Sequence, residues 1–167
     1  IQLSEFSASI IFLAQGVPFM QAGQEFLRSK NGDENSYKSD DSVNSLKWAT
    51  KAKYASAVKY YQGLIALRAA HPAFRMTSSS DVKANLKFLK SPEGVIAYTL
   101  NGKAVKDKAS LIVVIHNANA GPATVTLPNN KKWTVLVKGG VAGNKAIGTL
   151  AGGKVVVAGQ TTLVITQ

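Results

Sequence analysis

The sequence predicts two kinds of structure in series: a helical segment with one strand over residues 1–75, then an all-β antiparallel sandwich domain over residues 76–167. Three observations predict this. Apolar residues recur at helical spacing before residue 76 and at a period of two after it. Seven short, β-branched runs fill the second part, separated by Asn, Gly, Pro and Lys. With 167 residues and 46% hydrophobic content, the chain is long and apolar enough to build a core.

The first element, "IQLSEFSASIIFLAQ", places Leu3, Phe6, Ile10, Leu13 and Ala14 on one helical stripe, and no N-cap residue precedes it. A chain that begins inside a helix, as part of a longer protein, is the expectation. Gly16 ends the helix, and "VPFM" is short, apolar and bounded by glycines, as a buried parallel strand would be. Pro18 is tolerated near a strand's beginning. The polar stretch "RSKNGDENSYKSDDSVNSLKW" is too long for a plain connector, and loops of that kind carry function or are disordered. "YASAVKYYQGLIALRAAHP" puts Tyr54, Val58, Tyr61, Leu64, Ile65 and Leu67 on an apolar helical face, and His71 followed by Pro72 stops it.

No helix of useful length is expected after residue 78. "DVKANLKFL", "GVIAYTL", "SLIVVIHNA", "ATVTLP", "KWTVLVKG", "GKVVVAG" and "TTLVITQ" read as strands, with "NGK" at 101–103 as a turn. Such strands suggest two packed antiparallel sheets. A single helix–strand–helix unit cannot bury both faces of its strand, so the first 75 residues call for further chain as a partner.

Composition excludes several functions. Cysteine is absent, which removes disulfides and thiolate chemistry and leaves only His71 and His116 as soft metal ligands. No apolar run reaches the ~18 residues of a membrane span, so no membrane partner is expected. The net charge of +11 raises nucleic acid as a partner, but residues 76–167 hold 11 lysines and no arginine. Arginine supplies the fork that reads phosphate and guanine edges, so scattered lysines on a solvated surface are the better reading.

"QGVPFMQAGQEFLRSKNGDENSYKSDDSVNSLKW", "YYQGLIALRAAHPAFRM" and "LIVVIHNANAGPATVTLP" together resemble the C-terminal part of type I pullulanases, starch-debranching members of the alpha-amylase clan. The resemblance implies a (β/α)8 barrel followed by a β-sandwich. Residues 1–75 would then be the α/β barrel end piece, supplying the last strand and last helices, and residues 76–167 the C-terminal domain. Active sites of such barrels lie at the C-terminal ends of the strands. The resemblance also implies hydrolysis of α-1,6-glucosidic branch points in pullulan, limit dextrin and branched starch, with retention of configuration and an extracellular location. Retention needs two carboxyl groups ~5 Å apart. By the family pattern these come from earlier barrel strands, so no catalytic residue is expected in this chain, and no cofactor.

Glu25, in the "AGQE" turn, is expected to hold that turn through backbone donors rather than to move protons. Asp33, Glu34, Asp40 and Asp41 offer the oxygens a calcium ion takes, but their spacing does not fit the D-x-[DN]-x-[DN]-G loop, and a solvated loop is expected with no metal. Sugar recognition is the stronger alternative, because Asn35, Tyr37, Asp41 and Asn44 combine planar polar groups with an aromatic face. The resemblance makes Asp41 a candidate α-glucan contact and aligns Asn44 with a common family asparagine. Ser45 stands where some members carry an arginine, which removes one charged contact. Trp48 and Trp133 are expected in the core, His71 as a helix stop and His116 as a hydrogen-bonded interior or edge residue. The rival functional class is a non-catalytic glucan-binding or interaction module working through the β-domain.

Overall fold

A computed structural model describes residues 1–167. The helices are α1 (Gln2–Leu13), α2 (Asp41–Asn44), α3 (Thr50–Lys53), α4 (Ala55–Ala70) and α5 (Ser79–Asn85). The strands are β1 (Leu86–Phe88), β2 (Val95–Asn101), β3 (Leu111–Asn117), β4 (Ala123–Thr126), β5 (Trp133–Lys138), β6 (Val141–Ala142), β7 (Gly148–Leu150), β8 (Lys154–Val157) and β9 (Thr161–Thr166). All pairing is antiparallel: one sheet runs β1-β2-β3-β9-β5-β6 with β7 also on β5, and β4 pairs with β8 in a separate ribbon.

The large sheet is covered on both faces. The ribbon packs on one side over Val113, Ile115, Trp133, Val135, Leu163 and Ile165, as the sandwich expectation required. On the other side α1 and α4 lay Phe12, Leu13, Tyr61, Leu64 and Leu67 against Leu100, Ile112, Val114 and Val164. Burial on two faces explains why "LIVVI" in β3 is continuously apolar instead of alternating. It also joins the helical and β segments in one shared core. Trp133 is fully buried.

Three sequence expectations change. Residues 17–20 form no strand: a strand exists only beside a hydrogen-bonded neighbour, and no other segment of this chain runs alongside them. Val17 is 94% and Phe19 88% exposed. The barrel end piece therefore does not take shape in these residues. In α1 the buried face is not the stripe of large residues, because Leu3 and Ile10 are exposed while Glu5, Ala8, Ser9, Phe12 and Leu13 turn inward. Small Ala8 and Ser9 let α1 approach α4, and the Ser9 hydroxyl donates to the Glu5 carbonyl at 2.9 Å and meets Tyr60 Oη at 2.8 Å. On α4, Ile65 likewise faces out. Finally, the run from Asp81 begins as helix α5: Ser78 Oγ accepts the Asp81 N–H at 3.0 Å and donates to its carboxylate at 2.7 Å. This S-x-x-D cap overrides the alternation that suggested strand throughout.

Two contacts fix the helices on the sheet. α4 passes so close to β6 that a Cβ on Gly63 would lie 2.0 Å from the Ala142 carbonyl oxygen. Arg68 is buried, and its Nη1 donates to the carbonyls of Phe12 at 2.9 Å and Ala14 at 2.6 Å, while Nη2 reaches Gly16 O. A guanidinium thereby satisfies the end of α1, where carbonyls lack intrahelical partners.

Candidate functional site: the 22–48 loop

The loop begins in a tight turn. Gly23 (φ 91°) and Leu27 (φ 58°) flank a 3-10 turn over Gln24–Phe26, and Phe26 is buried. Position 23 needs glycine twice over: φ lies in the left-handed region, and a Cβ would meet Arg28 Cδ at 2.9 Å and Leu46 Cδ2 at 3.0 Å. Glu25 Oε2 accepts the Gly23 N–H at 3.1 Å, a bond inside the turn.

Asn44 organises the residues beyond. Its Nδ2 donates to the carbonyls of Ser36 at 2.7 Å and Ser39 at 2.6 Å. Its Oδ1 accepts from Lys30 Nζ, and its backbone oxygen accepts from Arg28 Nη2. Both amide hydrogens are thus committed within the loop. Asp33 accepts the Asn35 N–H at 3.0 Å and the Ser39 hydroxyl. Asp40 caps α2 by accepting from Ser42 N at 2.9 Å and Ser42 Oγ at 2.5 Å, and these bonds, the hydroxyl's first, hold its carboxyl below the usual range.

Asp41 differs from its neighbour. It lies exposed in the first turn of α2, and its carboxylate is in no ion pair. Asn35 is exposed as well, and Tyr37 is 74% exposed with Lys38 Nζ 5.3 Å from its ring centroid. The structure thus leaves Asn35, Tyr37 and Asp41 open to a ligand, and turns the Asn44 side chain inward. No three His, Asp or Glu side chains converge to hold a metal ion, the 33–41 acids included.

Trp48 is 63% exposed, against the expectation of a core residue. It follows the loop and packs against Phe26 at a 47° tilt, ring centroids 5.5 Å apart. His116 is buried with Nδ1 2.8 Å from Thr162 Oγ1, and burial lowers its pKa to about 4. His71 ends α4 and is buried too, its Nδ1 2.8 Å from Asp107 Oδ1. Sequence reasoning missed both Arg68 and the His71–Asp107 pair. The partners lie 36 residues apart for the pair and more than 50 for the clamp, and no local spacing links them.

The chain is similar to known proteins. Residues 82–141 match the family model described as "Pullulanase, all-beta domain". The pullulanase of Bacillus subtilis is 45% identical over 130 residues, 78% of this chain and 18% of that protein. An isoamylase of a Flavobacterium species is 32% identical over 149 residues, 75% of this chain and 19% of that protein. Among solved structures, the pullulanase from Bacillus acidopullulyticus superposes with a TM-score of 0.94 at 40% identity, over 99% of this chain and 20% of that one. The type I pullulanase of Bacillus subtilis complexed with maltose gives 0.90 at 37% identity, over 99% and 23%.

The class is therefore that of the debranching glycoside hydrolases, the pullulanases and isoamylases, to which this chain is related. Within it, the chain corresponds in sequence and fold to a part of a type I pullulanase. It spans less than a fifth of the length of these curated relatives.

Proposed function

We propose that this chain works as the C-terminal part of a pullulanase-like hydrolase that cleaves α-1,6-glucosidic branch linkages in pullulan, limit dextrin and branched starch. Residues 1–75 supply the end of a (β/α)8 barrel and residues 76–167 a C-terminal β-sandwich domain. The reaction is a retaining one: one carboxylate attacks the anomeric carbon while a second protonates the departing O6, and water then releases the sugar. Neither carboxylate belongs to this chain. Its contribution is scaffold and substrate groove, and the parent acts outside the cell.

The observation that carries this reading is the division of labour in the 22–48 loop. Glu25, Asp33 and Asp40 are each bound to local donors, while Asp41, Tyr37 and Asn35 are exposed in the same loop and Asp41 is in no ion pair. A free carboxylate and an exposed aromatic ring in one loop are the group types that a pyranose, with its hydroxyl rim and apolar face, calls for. Asn44 serves the same site by holding the loop's shape. The missing partner is chain that covers Val17, Phe19, Leu3 and Ile10, an apolar surface that a barrel would bury.

The glucan-binding module is the weaker alternative, since Phe88 is the one exposed aromatic of the β-domain while Tyr98 and Trp133 are buried. Titrating the chain with maltotriose separates the two. Asp41→Asn is expected to weaken binding by about tenfold, the loss of a charge-assisted bond, without changing the unfolding midpoint. Binding that survives Asp41→Asn and Tyr37→Ala unchanged would place the sugar on the β-domain instead.

A further inference from the structure

A cavity of about 400 Å3 opens where the first turns of α1 cross the β5–β6 turn and the start of β9, and no residue of the 22–48 loop lines it. Glu5 forms part of its wall. This residue is 8% exposed, and its carboxylate is in no ion pair. The hydrogen bonds of Glu5 run through its backbone: its N–H donates to the Ile1 carbonyl at 3.0 Å, and its carbonyl accepts from the Ser9 hydroxyl at 2.9 Å. A buried carboxylate whose oxygens lack donors calls for an explanation.

Gly140 fixes where that carboxylate points. It lines the same cavity, and a Cβ on it would lie 3.6 Å from Glu5 Oε2. Half-buried Phe6 lines the cavity with its ring edge-on to His116, centroids 6.3 Å apart. Gln160 bonds through its backbone and keeps its carboxamide free, and the Thr161 hydroxyl donates to the Ala158 carbonyl at 2.8 Å but can still accept. Burial raises the Glu5 pKa, and the Ile1 ammonium, also on the wall, offsets this in part without coming within ion-pair distance. A cation is a poor occupant, because no further carboxylates converge with Glu5 on a metal site and the chain's net charge of +11 repels it. Hydroxyl groups suit the set: they donate to a carboxylate in charge-assisted bonds, and they accept from a carboxamide or an ammonium.

We propose that this cavity binds a neutral glucosyl unit, with the Glu5 carboxylate accepting from adjacent hydroxyls, the Gln160 carboxamide bonding a third and Phe6 against the apolar face of the ring. The volume falls within the roughly 300–1,000 Å3 of small-molecule sites. It adds a second sugar contact to that of the 22–48 loop. The polyol chemistry follows from the cavity wall, while the choice of an α-glucan as the source rests on the proposed function.

Residue-resolved NMR of the full ¹⁵N-labelled chain tests this. Maltotriose should move the backbone amide signals of Gly140, Gln160 and Thr161 to saturation. Glu5→Gln keeps the shape of the side chain and removes its charge, so it should weaken that response by about tenfold without lowering the unfolding midpoint. Gly140→Leu has room for its Cβ but fills the cavity, and should abolish the response. The amides of Asn35 and Asp41 report the loop separately: a silent loop beside responding cavity amides would fault the loop reading alone. Cavity amides unmoved by maltotriose overturn the proposal. So does a Glu5→Gln or Gly140→Leu chain whose cavity amides titrate as in the parent, or a saturable shift of the same amides by calcium chloride in place of the sugar.

Discussion

His116 shows most directly how burial becomes a measurable property of a single residue. Burial lowers its pKa from the ordinary 6.5 to about 4, and its one polar contact is Thr162 Oγ1. The unfolded chain therefore takes up this proton first as pH falls below about 6.5. The folded chain resists until about pH 4, so stability is full above pH 6.5 and falls through that window. The shift corresponds to about 3 kcal/mol once the window is crossed. His116→Gln keeps a polar group opposite Thr162 but cannot titrate. Urea midpoints measured between pH 7 and pH 4 are expected to decline less steeply for the variant, and equal slopes would show that His116 is not the group responsible. The "LIVVIHN" run made a hydrogen-bonded place, interior or edge, readable from sequence, and burial of β3 on both faces makes it interior.

At the level of elements, what could be read and what could not divide by range. α4 was legible because its apolar face and its His71-Pro72 stop are local, and the major strands because β-branched runs alternate with turn residues over a few positions. The short pairs β6 and β7 were not legible: two and three residues carry no period, and only their register against β5 defines them. The stripe of α1 misled because size was read as burial, while packing against α4 selected small side chains at the contact. In the loop, the exposure of Asp41 and Tyr37 followed from residue type, whereas the inward turn of Asn44 depends on carbonyls five and eight residues away folding back onto it. The Arg68 clamp gives a test of how α1 is held. Arg68→Met keeps most of the buried stem but removes donors from three carbonyls at the end of α1, at a cost of about 3 kcal/mol. Chemical denaturation reads this directly, and a loss below about 1 kcal/mol would mean that water replaces the guanidinium without penalty.

On the scale of the whole molecule, the two-sided sheet is the frame on which everything else depends. The β4–β8 ribbon seals one face, α1 and α4 seal the other, and the 22–48 loop emerges from the helical side. Val17 and Phe19 are exposed with no cover from this chain. Under the proposed function the chain serves as a scaffold with one wall of a groove, and the catalytic carboxylate pair comes from elsewhere in the parent enzyme. Incubating the purified chain with pullulan and following the appearance of reducing ends tests this claim most directly. The account predicts no release above the protein-free rate, and release of maltotriose by this chain alone would contradict it.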